Sequence, residues 1–76
     1  MNEKNESRLY PGLFYNLKDV CRIVNPKQQT LYIKNGLLPI DLYASINQDG
    51  ANIIVMIFDR ETSYPLYQKW CDHELN

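Results

Sequence analysis

The apolar positions of the chain change period repeatedly, and each change marks an element. The run VCRIVN carries β-branched Val20, Ile23 and Val24 and stops at Asn25, which reads as a first strand. Asn25 is then a helix N-cap, Pro26 a first helical residue, and Gln28 the third residue of a capping box. Leu31, Tyr32 and Ile33 populate this helix. Gly36 ends it, because glycine enters the left-handed conformation without a Cβ penalty. In LLPIDLYAS the period drops to two: Leu38, Ile40, Leu42 and Ala44 point one way, Pro39, Asp41, Tyr43 and Ser45 the other. Pro39 donates no ladder bond, which places this second strand at a sheet edge. NQDG reads as a hairpin turn with Asp49 and Gly50 at positive φ. NIIVMIFD is apolar without alternation, as a central strand covered on both faces is.

Downstream, Asp59, Thr62 and Ser63 are candidate caps for a last helix. Pro65 suits only the first turn, which favours Thr62 or Ser63. Leu66, Tyr67, Trp70, Cys71 and Leu75 form its apolar stripe, with Trp70 the expected core anchor and the tip after it frayed. Upstream, Met1 to Ser7 read as a frayed terminus. RLYPGLFYNLKD follows as an apolar arm that turns at Pro11-Gly12. The expected fold is therefore α+β, in the order β-α-β-β-α. A three-stranded sheet of order 1-3-2 carries two helices on one face. Residues 20–76 make the domain and residues 1–19 a partly flexible arm. The second sheet face is also apolar, so either the arm covers it as a lid or it is an interface.

Composition narrows the function classes. The chain has 76 residues, enough for one domain. Its net charge of −1 argues against a nucleic-acid binder, and nine acidic against eight basic residues against a DNA mimic. No run approaches the roughly 18 apolar residues of a membrane span. The start MNEKNES has no apolar core of a signal peptide, so a cytoplasmic location is expected. Cys21 and Cys71 sit among apolar residues and read as buried, reduced thiols.

VCRIVNPKQ, YIKNG, PID, FDRE and WCDHEL together resemble a family of small uncharacterised proteins. Phages and conjugative elements of Gram-positive gut bacteria encode that family. The resemblance spans roughly Val20 to Leu75. It implies a setting, a mobile genetic element in a bacterial cytoplasm, where small proteins often inhibit host defence or act as accessory regulators. It carries no functional residues over.

Catalytic chemistry is thinly represented. His73 is the sole histidine, and Cys71, two residues away on a helix, faces elsewhere. Cys71, Asp72, His73 and Glu74 point around a helix with no second cluster to complete a metal site. The helix start at Asn25 could hold an anion, but Asn25 itself occupies those amides. The expectation is a protein that is not an enzyme and holds no cofactor or metal. It is read as a protein-binding module, anti-CRISPR-like in the sense of a host-defence inhibitor. The candidate interface residues are Tyr10, Phe14, Tyr15, Tyr43, Asp72 and Glu74. The alternative is a small nucleic-acid-binding regulator. The expected partner is a protein, with a homodimer also open, nucleic acid less favoured and no membrane.

Overall fold

The computed structural model describes residues 4–76. Strands β1 (Lys4–Glu6) and β2 (Phe14–Asn16) pair as a hairpin, and a 3-10 turn at Leu17–Asp19 leads into β3 (Val20–Ile23). Helix α1 (Pro26–Lys34), strands β4 (Asp41–Ile46) and β5 (Asn52–Asp59) and helix α2 (Arg60–Cys71) follow. The larger sheet has three antiparallel-paired strands in the order β3-β5-β4, with Arg22 and Asp41 flanking Ile57 from either side. The protein is thus α+β, with two helices, a three-stranded sheet and a second, two-stranded sheet not expected from the sequence. The polar start expected to fray is, from Lys4, a paired strand, and Ser7 is buried. Met1–Glu3 lie outside the described residues.

Alternation along β5 sorts the core into two layers. Phe58 and Met56 face both helices and meet Ile23, Tyr32, Leu66, Trp70 and Leu75. Val55 and Ile57 face the other way and meet Val20, Tyr43, Ile40 and Tyr15 of the hairpin. The helix-side layer centres on Tyr32 and Phe58, fully buried, with ring centroids 5.1 Å apart in an edge-to-face pair. Trp70 packs beside this pair only partly buried, so the expected anchor is a flank of the core. Tyr67 and Cys71 are exposed. The sheet-facing stripe of α2 runs instead through Ser63, Leu66 and Trp70, at helical spacing. Cys71 is therefore not the buried thiol expected, and Cys21 is half-buried; both are free.

Local chemistry sets the boundaries. The Asn25 side chain accepts from the amides of Lys27 and Gln28, as an N-cap does. Gln28 does not reach back to close a capping box; its amide donates to the buried hydroxyl of Tyr32 at 3.0 Å. Gln29, also buried, donates to the carbonyls of Ile23 and Ile54, both at 2.8 Å. Where β3 stops at Ile23, it supplies the donor that the next stretch of β5 lacks. At the end of α1, Gly36 takes φ +88, its amide bonds Ile33 and that of Leu37 bonds Tyr32. This Schellman closure turns Leu37 back onto the core.

Helix α2 begins earlier than expected. Asp59 is its cap, accepting from the Thr62 amide at 2.9 Å and the Thr62 hydroxyl at 2.6 Å. Pro65 consequently lies inside the helix, where its ring removes the donor that Glu61 would have used. The end is not frayed. The amides of His73 and Glu74 bond Trp70 and Lys69, a second Schellman closure, with His73 at φ +58 and Leu75 buried after it. Pro39 precedes β4 rather than lying in it, so the edge position of this strand does not depend on the proline. In the β4–β5 turn Gly50 has a positive φ and Asp49 does not. Asn47 takes over instead, its side chain accepting from the amides of Asp49 and Ala51.

Two stability outcomes follow from this packing. Phe58→Ala is expected to cost about 3–5 kcal/mol, most of the stability of a domain this size, read as a collapsed urea midpoint. His73→Gly relieves a left-handed residue that carries a Cβ and is expected to gain about 1 kcal/mol, raising Tm by roughly 4–8 °C. An unchanged or lower Tm would contradict the strain assigned to His73.

Candidate interaction surfaces

The hairpin is held to the sheet by one buried carboxylate. β1 and β2 pair Asn5 with Tyr15 and Glu6 with Phe14, so neighbouring residues of β2 face opposite ways. Tyr15 turns toward the sheet and Phe14 away from it. The Tyr15 hydroxyl donates to Asp41 Oδ2 at 2.5 Å, and the backbone amides of Arg8 and Leu42 donate to Asp41 Oδ1 at 2.8 and 2.9 Å. Ser7 adds a second tie: its hydroxyl donates to the Ile40 carbonyl and accepts from the amides of Leu9 and Tyr10, which shapes the hairpin loop.

Asp41 is fully buried, which alone would raise its pKa. The Tyr15 hydroxyl, the two amides and the Arg8 charge outweigh burial and hold the carboxyl below its ordinary value. Burial and the bond to Asp41 push Tyr15 the other way, up to about 12. Arg8 contributes less than its charge suggests. Its guanidinium stands 3.8 Å from Asp41 with 66% of the side chain exposed, a geometry worth at most about 1 kcal/mol. It also lies 4.8 Å above the Tyr43 ring.

The apolar residues of the hairpin and its loop are different in kind. Leu9, Tyr10, Leu13 and Phe14 are exposed, Phe14 by 55%. Leu17, 62% exposed, lines the groove on the inner side. Large apolar side chains rarely gather on a free surface. Two grooves flank the sheet. One, of about 570 Å³, runs between β3 and α2 and is lined by Cys21, Tyr32, Arg60, Tyr64 and Tyr67. Arg60 closes its upper end by donating to the carbonyls of Lys18 and Val20. The Cys71 thiol beside Tyr67 raises the pKa of that phenol. The other, of about 710 Å³, lies under the hairpin between Arg8, Arg22, Tyr15 and Tyr43.

The six residues singled out from the sequence fall into three places. Tyr10, in the hairpin loop, and Phe14, on β2, are both exposed. Tyr15 and Tyr43 come together beside Asp41 and Arg8, on the inner side. Asp72 and Glu74 are exposed at the far end of α2, about 18 Å along the helix from Asp59. Neither forms an ion pair among the described residues, where Arg8–Asp41 is the one pair found. No three His, Cys, Asp or Glu side chains come together as metal ligands among the described residues, and no helix there is long and apolar enough to cross a membrane. Sequence reasoning passed over Asp41, Ser7 and Arg8. A carboxylate inside an apolar alternation was the available signal.

No family model matches the chain, and neither a curated protein nor a solved structure does.

The carboxylate predicts a stability profile with two shoulders. Asp41, and Asp59 lowered by its bonds from Thr62, contribute stability above the ordinary carboxylate pKa that is lost as pH falls through their depressed folded values. Tyr15 contributes stability fully present below its unfolded value of 10.0 and lost as pH rises toward about 12. Tyr15→Phe is expected to cost about 1–3 kcal/mol and to flatten the alkaline shoulder, read by urea unfolding against pH. An alkaline limb identical in both proteins would remove Tyr15 from the account.

Proposed function

We propose that the chain is a non-enzymatic protein-binding module that presents the outer side of its N-terminal hairpin to a protein partner. The observation that carries this reading is the contrast within β2. Tyr15 is spent inside on Asp41, while Phe14, its neighbour, stands exposed, as do Tyr10 and Leu13 of the hairpin loop. A hairpin tied down at Ser7, Arg8 and Tyr15 holds these side chains in place before a partner arrives, so little ordering is left to be done on binding. Aromatic side chains on a fixed support are the usual centres of protein interfaces. The family resemblance adds the setting: a phage or mobile element acting in a bacterial cytoplasm, with the partner a component of a host defence system that the module inhibits.

The nucleic-acid alternative calls for a basic face. Of the two arginines beside the inner aromatic groove, Arg8 is already engaged by Asp41 and Tyr43.

The test is capture from host lysate with paired variants. Phe14→Lys and Tyr10→Lys are expected to weaken capture at least about thirtyfold, the equivalent of a 2 kcal/mol hot spot, with Tm unchanged because both side chains are exposed. Asp72→Lys with Glu74→Lys is expected to leave capture intact. Capture indifferent to the hairpin variants, or binding to random DNA that falls steeply with salt, would overturn the reading.

A further inference from the structure

The groove beneath the hairpin, of about 710 Å³, has the size of a small-molecule site. Val20 and Ile57 give it an apolar floor. Its walls carry donors that lack acceptors. Arg22 lies opposite Ile57 on β3 and so projects from the hairpin side of the sheet. It is exposed and forms no ion pair among the described residues. Arg8 leans on Asp41 at 3.8 Å, beyond hydrogen-bonding distance, so that contact uses none of its N–H groups. Asp41 sits across Ile57 from Arg22, two strand spacings or about 10 Å away, which sets the two guanidinium groups at opposite sides of one gap. Asn5 pairs with Tyr15 and shares its inward side, and its amide nitrogen is buried with no acceptor. Glu6, the one carboxylate in the lining, pairs with Phe14 on the outer side and accepts from the Gly12 amide. Asp41 itself is buried under its own donors.

We propose that this groove binds a small phosphomonoester with an aromatic or nucleoside body. The phosphate sits between Arg8 and Arg22, and the body lies over Leu17. The choice of phosphate follows from the placing of the donors. A planar carboxylate turns both oxygens to one guanidinium, whereas a phosphate presents oxygens on several sides and meets two at once. Its charge of about −2 at neutral pH matches the two cations. The Asn5 amide, turned out of the wall, donates to a third oxygen. The body follows from Leu17, which bare phosphate would leave 62% exposed. Tyr43, with the Arg8 guanidinium 4.8 Å above its ring, favours a flat body over a flexible chain. Two arginines with Glu6 beside them suit one phosphate and not the run of phosphates along a strand.

Isothermal titration of the full chain with phenyl phosphate and adenosine monophosphate reads the site. Phenol, adenosine, inorganic phosphate and a single-stranded oligothymidylate serve as comparisons. The phosphomonoesters are expected to saturate with Kd below about 1 mM, and the comparisons to bind at least about tenfold more weakly. Arg22→Ala is expected to weaken the phosphomonoesters at least about tenfold and to leave Tm unchanged, because the side chain is exposed and unpaired. Arg22→Lys is expected to recover only part of that loss. Leu17→Ala is expected to weaken the phosphomonoesters and not inorganic phosphate. Phe14→Lys is expected to change none of these values, which separates the groove from the outer side of the hairpin. The proposal is overturned if neither phosphomonoester saturates below about 1 mM, if Arg22→Ala binds them as the unaltered protein does, or if phenol and adenosine bind equally well. An oligothymidylate that binds more tightly than adenosine monophosphate would assign the groove to nucleic acid and overturn it equally.

Discussion

Asp41 is the one charged side chain that the described fold buries completely, and the arrangement around it decides what the second face of the sheet becomes. Removing a carboxylate from water costs several kcal/mol unless donors replace the lost hydration. Here the donors come from the hairpin, through the Tyr15 hydroxyl and the Arg8 amide, and from the strand itself, through Leu42. The dependence is mutual. Without the hairpin the carboxylate would be stranded on an apolar face. Without the carboxylate the hairpin would be a short two-stranded ribbon, which is marginal alone in water. Val20, Val55 and Ile57 are covered because this exchange is favourable.

Much of the chain was legible as sequence because local rules and tertiary packing agreed. Asn25 capped a helix and Gly36 ended it where their conformational preferences said, and the two-sided apolarity of NIIVMIFD appears as two core layers on one strand. The misreadings have particular causes. Pro65 was read as confined to a first turn, yet α2 tolerates it further in, and the stronger cap at Asp59 was displaced in the reading. His73 was missed as a helix terminator because left-handed geometry is looked for at glycine. Asp41 was read only as a member of one side of an alternating strand, with Pro39, Tyr43 and Ser45, and no partner was named for it. Its donors lie 26 and 33 residues away, beyond any pattern a local window contains. The candidate site followed the same division. Tyr10 and Phe14 are exposed, whereas Tyr15 is held inward by a carboxylate 26 residues away and Tyr43 lies under Arg8, 35 residues before it in the chain.

The hairpin proposed for interaction offers side chains on a rigid support, tied at Ser7, Arg8 and Tyr15. Its selectivity would come from shape and aromatic contact.

The tie between the hairpin and Asp41 also orders events in time. The ribosome makes the hairpin first, but its docking site is not complete until β4 and β5 have followed it out. During that interval Leu9, Tyr10, Leu13 and Phe14 have no sheet behind them. The hairpin therefore waits for two later strands, and it can settle on the sheet only after both have emerged.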